Sequence, residues 1–247
     1  MTSLLLLVFL TILFSPVVVS YHPSLLIKCD DDNFRIINSS NSTLTWFNHV
    51  HQLVLEECAV ENVPNILLNI EKKVTQINSL ILRRMVHHPV LTFPHHIACS
   101  SNLPSVHTVS VQGCTPVLHE VLAYLSQCTS VGDLEILDTS LRQVIMLESG
   151  ETLQSLRLTN NHIAEIQLED LSGLSKLRVL DLGSNKLVRI PSRVFRSNRR
   201  LRRLYLARNV ISFITRQSFM GKLFIKSFRL SFCLQSAFSS FSASRSS

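Results

Sequence analysis

Residues 177–191 read LRVLDLGSNKLVRIP and combine two kinds of apolar spacing. The stretch opens with a short alternation of apolar and other residues, VLDLG, which is typical of a strand. The alternation then stops, and apolar residues continue at irregular spacing past Asn185. An amphipathic helix would keep spacings of three and four throughout. The mixture therefore predicts a short strand followed by a corner.

The same pattern occurs three times at a constant spacing of 24 residues. The segments LQSLRLTNNHIAEI, LRVLDLGSNKLVRI and LRRLYLARNVISFI begin at Leu153, Leu177 and Leu201. Each unit reads LxxLxLxxNxI/LxxI, and a bulky residue follows 18 positions after each start, at Leu171, Phe195 and Phe219. One such unit cannot bury its own apolar face, so the repeat predicts a stack of units.

Weaker copies of the unit lie upstream, with starts at Val50, Ile77, Val106 and Val131. Other residues stand in the place of the asparagine there: Cys58, Met85, Cys114 and Thr139. Methionine cannot form the hydrogen bonds of an asparagine amide, so the unit that begins at Ile77 is expected to be irregular. Cys58 and Cys114 are expected to be buried and reduced.

The repeated unit resembles the extracellular leucine-rich repeat family, and its 24-residue "typical" class is the nearest match. The resemblance covers roughly residues 50–233 and is most specific between 153 and 219. It implies an α/β solenoid with a curved parallel sheet on the concave side and loops and short helical turns on the convex side. Physical chemistry points the same way: strand leucines face inward, and each asparagine satisfies backbone groups of adjacent turns.

The sequence divides into five predicted segments. They are a signal peptide at 1–20, a capping segment at 21–49, about seven repeats at 50–224 (strongest at 153–224), a degenerate last repeat at 225–233 and a Ser/Phe-rich disordered tail at 234–247. The segments FRII and TLTW are the edge-strand candidates of the cap. Cleavage after Ser20 predicts secretion, and the alternative is an uncleaved segment that anchors the protein in a membrane.

Secretion permits disulfides and glycans, and the sequence offers candidates for both. Cys99 and Cys128 each lie 22 residues after a repeat start, so neighbouring convex loops are expected to bring them together as a disulfide. Sequons begin at Asn38 and Asn41, both before the first repeat. The cysteine-rich caps usual in the resembled family are absent, which favours a truncated product.

Charge is distributed unevenly along the chain. Residues 1–181 hold 10 basic and 17 acidic side chains, whereas residues 182–247 hold 14 basic and no acidic ones. The two parts therefore carry −7 and +14, which gives the net charge of +7. A run of charged residues usually forms a solvent-exposed surface without a partner. An excess of basic residues of this density nevertheless favours an anionic partner.

These observations predict a secreted protein-binding module for adhesion, matrix association or ligand recognition; the alternative is a truncated ectodomain of a membrane leucine-rich repeat receptor. The expected binding residues are Arg157, Asp181, Arg199, Arg200, Arg202, Arg203, Tyr205 and Arg208. The expected partners are an extracellular protein ligand or receptor and a sulfated glycosaminoglycan, with self-association as a rival and no nucleic acid.

No catalytic constellation is found in the sequence, so the chain is not expected to be an enzyme and no cofactor or metal is expected. The segment HEVLA begins like the helix motif of zinc proteases at His119. The second histidine of that motif would fall at position 123, which is Ala123.

Overall fold

The computed structural model describes residues 24–30, 33–38, 49–63, 66–67, 70, 74, 76–86, 106–126, 131–144, 150–212, 214, 216–219 and 227–229. Its strands form one open sheet in the order β10-β9-β8-β7-β6-β5-β4-β3-β1-β2. Their bounds are β1 Ser24–Asp30, β2 Asn33–Asn38, β3 His49–Glu56, β4 Gln76–Arg83, β5 Thr108–Gln112, β6 Asp133–Leu137, β7 Ser155–Arg157, β8 Val179–Asp181, β9 Arg203–Tyr205 and β10 Ser227–Arg229. The predicted leucine-rich repeat solenoid is confirmed.

Strands β3 to β10 pair in parallel, each with the next repeat along the chain. Where the step is 24 residues, the lateral register is 24 as well, so Leu156 pairs with Leu180 and Leu180 with Leu204. These leucines are buried because every second strand residue points into the stack. The last strand continues the register, with Phe228 opposite Leu204.

A β-hairpin precedes the first repeat. Strand β1 runs parallel to β3, and β2, which contains the segment FRII, is antiparallel to β1 at the outer edge of the sheet. Ile27 of the hairpin is completely buried against the repeats. The segment TLTW, the signal segment at 1–20 and the tail at 234–247 lie outside the described residues. The domain limits inferred from the sequence stay predictions.

A sharp corner ends seven of the repeat strands, and one residue of each corner has a positive φ. The residue lies just before the asparagine place in each repeat: Glu57, Arg84, Gly113, Asp138, Asn160, Ser184 and Arg208, with φ from 47° to 63°. Backbone bonds join successive corners, as from the Ser184 amide to the Ala207 carbonyl at 2.8 Å. The corner that the sequence predicted is therefore a left-handed residue whose amide is tied to the next repeat.

The asparagines after these corners are buried and bind backbone of the preceding repeat. Asn185 Nδ2 donates to the carbonyls of Leu158, Leu182 and Gly183 at 2.7, 3.1 and 3.1 Å, and its Oδ1 accepts from the Ile163 amide at 3.0 Å. Asn161 and Asn209 form equivalent sets of bonds. The hydrogen-bonding role predicted for the asparagine place is confirmed.

The expectation of an irregular second repeat is wrong for its strand. Strand β4 has eight residues and pairs with both neighbours, and Met85 is buried with 1% of its surface exposed. The backbone amide of Met85 donates to Cys114 Sγ at 3.4 Å. A long strand supplies the hydrogen bonds that the methionine side chain cannot form, and the next repeat satisfies the methionine amide.

Cys58 and Cys114 were both expected to be buried and reduced; this is confirmed for Cys114 and wrong for the oxidation state of Cys58. Cys58 is buried as expected, but it forms a disulfide with Cys29 of strand β1, with 4.7 Å between the α-carbons. Cys114 is buried and reduced, and desolvation raises the pKa of its thiol. Cys99 and Cys128 lie outside the described residues. Cys29 was not paired from the sequence because only the fold places strand β1 beside the first repeat.

The convex side carries short helical turns, as predicted. They are the helix α1 (Leu118–Ser126) and the 3₁₀ turns at Val60–Asn62, Thr115–Val117, Gly150–Thr152 and Arg216–Phe219. Phe195 and Phe219 stack with their ring centroids 5.9 Å apart, so the bulky position after each repeat start lies in one column. Among the described residues, no helix has the length and apolarity to cross a membrane.

Candidate binding surface

Outward side chains that lie opposite one another on successive repeat strands form a row across the sheet. In strand order, the row runs through Val54, Ile81, Ser110, Glu135, Arg157, Asp181 and Tyr205, each directly opposite the next. We call this set the concave row. Its first three members are buried, whereas the last four are half-buried or exposed. The part of the row that can contact a partner therefore begins at Glu135.

All three charged members of the row, Glu135, Arg157 and Asp181, are already engaged within the chain. Arg157 Nη1 donates to Glu135 Oε1 at 2.6 Å, and 45% of the Arg157 side chain remains exposed. Asp181 Oδ1 accepts from the Gly183 amide at 2.9 Å. A Cβ at Gly183 would lie 3.1 Å from that same oxygen, so glycine is what lets the carboxylate approach the backbone. These contacts fix the orientation of both side chains before any partner arrives.

Basic side chains in the first repeats have acidic partners. Lys28 Nζ lies 2.7 Å from Glu57, and Arg84 contacts both Glu56 and Glu57. The hydrogen bond to Glu57 raises the pKa of Lys28, and the same bond lowers the pKa of the Glu57 carboxyl. The charges of Lys28 and Arg84 are therefore compensated within the chain, whereas Arg83 donates to the neutral side chain of Gln112 at 3.3 Å.

The arginines near the end of the chain are exposed and lack such partners. None of the eight between positions 189 and 208 has an ion pair within the part of the chain that the structure describes, and no acidic residue follows Asp181. The structure separates the expected binding residues into three places. Arg199, Arg200, Arg202 and Arg203 lie at the amino end of β9, Tyr205 lies in the concave row with Arg157 and Asp181, and Arg208 forms the corner after β9.

Two exposed basic residues were missed by the sequence reasoning. Lys176 and Arg178 lie at the amino end of β8, and Arg178 occupies the place in its repeat that Arg202 occupies in the next. The amide of Arg202 donates to the carbonyl of Arg178 at 2.9 Å. A comparison of equivalent repeat positions would have found them, whereas the division of charge at Asp181 separated them from the other arginines.

No group of three or more His, Cys, Asp or Glu side chains that could hold a metal ion occurs among the described residues. Of the glycosylation candidates, Asn38 is the last residue of strand β2, at the outer edge of the sheet, and Asn41 lies outside the described residues. Glycosylation at both stays a prediction.

Comparison with protein families matches the leucine rich repeat family over residues 151–211 and again over residues 179–233. The two matches together cover the repeats in which asparagine holds its place. A comparison with curated proteins gives no match.

Among solved structures, the chain is similar to Toll in the Toll–Spatzle complex from Drosophila, with 12% identity and a TM-score of 0.58 over 84% of this chain. It also resembles an internalin from Listeria monocytogenes (18% identity, TM-score 0.44, 78% of this chain) and TLR13 in a complex with ssRNA13 (20%, 0.48, 77%). The chain spans 30% of the Toll chain, 58% of the internalin chain and 30% of the TLR13 chain. The likeness to Toll supports the fold.

Proposed function

We propose that this chain, in which residues 151–233 match the leucine rich repeat family, is an extracellular protein-binding module that uses the exposed end of the concave row. Members of this family are typically protein-interaction modules without catalysis. The observation that carries the proposal is the lateral alignment of Glu135, Arg157, Asp181 and Tyr205 on four adjacent strands.

The chemistry of this part of the row suits a folded protein partner. Acidic and basic side chains alternate across it at the strand spacing of about 4.8 Å, and an aromatic side chain follows them. Mixed charge provides specificity through complementarity, whereas a partly buried tyrosine provides contact area at low entropic cost. Arg157 and Asp181 are preorganised by Glu135 and Gly183, which lowers the entropy lost on binding.

Capture from extracellular fluid tests this function. The secreted chain is compared with a variant in which Arg157, Asp181 and Tyr205 are all changed to Ala. A matched control changes Glu165, Arg189 and Arg196 to Ala as well; these residues are exposed and lie outside the concave row. We expect a partner that is retained by the wild type and the control but lost by the concave variant. Equal retention by all three proteins would contradict a concave site.

Fractionation of cells that express the full chain tests the location of the protein. The predicted signal segment leads us to expect the chain in culture medium, and glycosidase treatment is expected to increase its gel mobility if Asn38 or Asn41 carries a glycan. Retention of the full chain in the membrane fraction would instead favour the anchored form. A longer transcript with a membrane-spanning segment would favour the receptor ectodomain.

A further inference from the structure

Exposed basic side chains at the amino ends of β8 and β9 form a surface outside the concave row. They lie in the turn before each strand or at its start, and we name them the amino-end ridge: Lys176, Arg178, Arg199, Arg200, Arg202 and Arg203. All six are exposed, and none forms an ion pair with a described residue. The ridge is therefore a concentrated positive surface that the chain itself does not compensate.

The backbone beneath the ridge is fixed by interior contacts. The amides of Arg202 and Arg203 both donate to the carbonyl of Arg178, at 2.9 and 3.0 Å, so the two repeats are tied together directly under these side chains. Asn198 and Leu201, with 0% and 1% exposure, flank Arg199 and Arg200.

The buried amide of Asn198 holds this turn against the preceding repeat. Its Nδ2 donates to the carbonyls of Leu171 and Leu174, both at 2.9 Å. The charged groups of the ridge are consequently mobile only in their side chains, and the backbone positions that present them are set before binding.

The ridge has a defined beginning. The repeat that starts at Leu153 lies just before the ridge. Its equivalents of Arg199 and Arg202 are Glu151 and Gln154, both at or near the surface. The positive surface therefore starts with the repeat at Leu177 and follows the stacking direction of the repeats, across the strands.

We propose that the amino-end ridge binds a linear sulfated polysaccharide that lies across the strands, from one repeat to the next. The guanidinium fork pairs two oxygens of a sulfate at once, and Arg178 and Arg202 present two such forks at equivalent positions of adjacent repeats, about 4.8 Å apart in the backbone. The ridge contains no aromatic side chain, and single-stranded nucleic acids depend on aromatic stacking for much of their binding. The proposal rests on the proposed function only in placing the protein outside the cell.

Binding of the full secreted chain to immobilised heparin, measured against salt concentration, tests the ridge. The ridge variant changes Arg199, Arg200, Arg202 and Arg203 to Ser. The control changes Lys186, Arg189, Arg193 and Arg196 to Ser, which removes the same charge from exposed positions elsewhere. At physiological salt we expect the ridge variant to lose at least about tenfold in affinity and the control less than about threefold. The salt slope should fall by about one for each ridge arginine that contacted sulfate.

A gain-of-function variant makes the test independent of losses by misfolding. Glu151→Arg extends the ridge into the repeat before it, and Glu151 is exposed. We expect heparin affinity to increase about threefold, because a carboxylate that repels sulfate is replaced by a guanidinium that can bind it.

Three results would overturn the proposal. The first is an equal loss in the ridge variant and the control, because net charge alone would then account for binding. The second is stronger competition by single-stranded RNA than by heparin of equal length, which would assign the ridge to nucleic acid. The third is a concentration-dependent dimer that only the ridge variant loses, without heparin binding by the wild type. Loss of partner capture by the concave variant would leave these results unchanged, so the two proposals fail separately.

Discussion

Strands β3 and β4 near the beginning of the sheet have eight residues each, whereas β7, β8 and β9 have three each. The asparagine place differs in the opposite sense: cysteine and methionine stand there in the early repeats, and asparagine stands there in the late ones. Long strands pair their backbone groups with neighbouring strands. Short strands leave more of those groups for the corner, and the asparagine amides satisfy them.

Charge follows the same division. Lys28 and Arg84 of the early part are paired with glutamates, whereas the arginines after Asp181 have no carboxylate within the described residues. A compensated surface has little to offer an ionic partner, because each of its charges is already neutralised nearby. We therefore expect structural roles for the first part of the sheet and propose binding roles for the last part.

The largest effect is expected from Asn185→Ala in the late repeats. The change removes an amide with four backbone hydrogen bonds and leaves buried groups without partners, so we expect the free energy of unfolding to fall by about 3–5 kcal/mol. Cys114→Ala at the same place in an early repeat should cost only about 1–2 kcal/mol. Urea denaturation of both variants measures this, and equal losses would refute the division of roles.

Loss of the Cys29–Cys58 disulfide is expected to destabilise the hairpin and the first repeat by about 2–4 kcal/mol, because the bond closes a 29-residue separation. Cys29→Ser is compared with the wild type in denaturation with and without reductant. The reductant should lower the stability of the wild type more than that of the variant, which keeps only the predicted Cys99–Cys128 bond. Equal sensitivity of the two proteins would show that the bond is absent.

Gly113→Ala tests the cost of the corner conformation. Gly113 has φ 63°, and a Cβ there would meet only Arg84 Cγ at 3.5 Å, an ordinary contact. The left-handed backbone alone should therefore cost about 1–2 kcal/mol. Gly173→Ala is the matched control, because a Cβ there meets nothing within 4 Å and its φ is not positive. We expect the control to be neutral or slightly stabilising in thermal denaturation; a loss equal to that of Gly113→Ala would contradict the explanation.

The smallest effect on stability is expected from Arg157→Ala, at about 0–1 kcal/mol, since its ion pair with Glu135 is largely exposed. The change should nevertheless weaken partner capture, because Arg157 belongs to the concave row. Denaturation and capture are measured on the same preparation. A large stability loss without loss of capture would make Arg157 a structural residue.

Alkylation of Cys114 tests whether the asparagine place of an early repeat is buried. Desolvation raises the pKa of the buried Cys114 thiol, so less thiolate forms at neutral pH and native protein should resist iodoacetamide at this position. Peptide mapping after labelling in native and in denaturing buffer identifies the site. Rapid labelling of Cys114 in native protein would show that the repeat opens or that its thiol is accessible.

The repeat length, the inward leucines and the equivalent positions of Leu171, Phe195 and Phe219 could be predicted from the sequence alone. These features depend on local periodicity and on the constant step of 24 residues, both of which can be read without knowledge of the neighbours.

Three features could be learned only from the folded stack: the pairing of Cys29 with Cys58, the regularity of the strand before Met85 and the hydrogen bond that joins Arg202 to Arg178. Each depends on which segments become neighbours in the stack and at what register. The sequence alone predicts neither the regular strand before Met85 nor the partner of Cys29, because the segments that contact these residues are remote in the chain. Lateral hydrogen bonding across the sheet supplies that missing information.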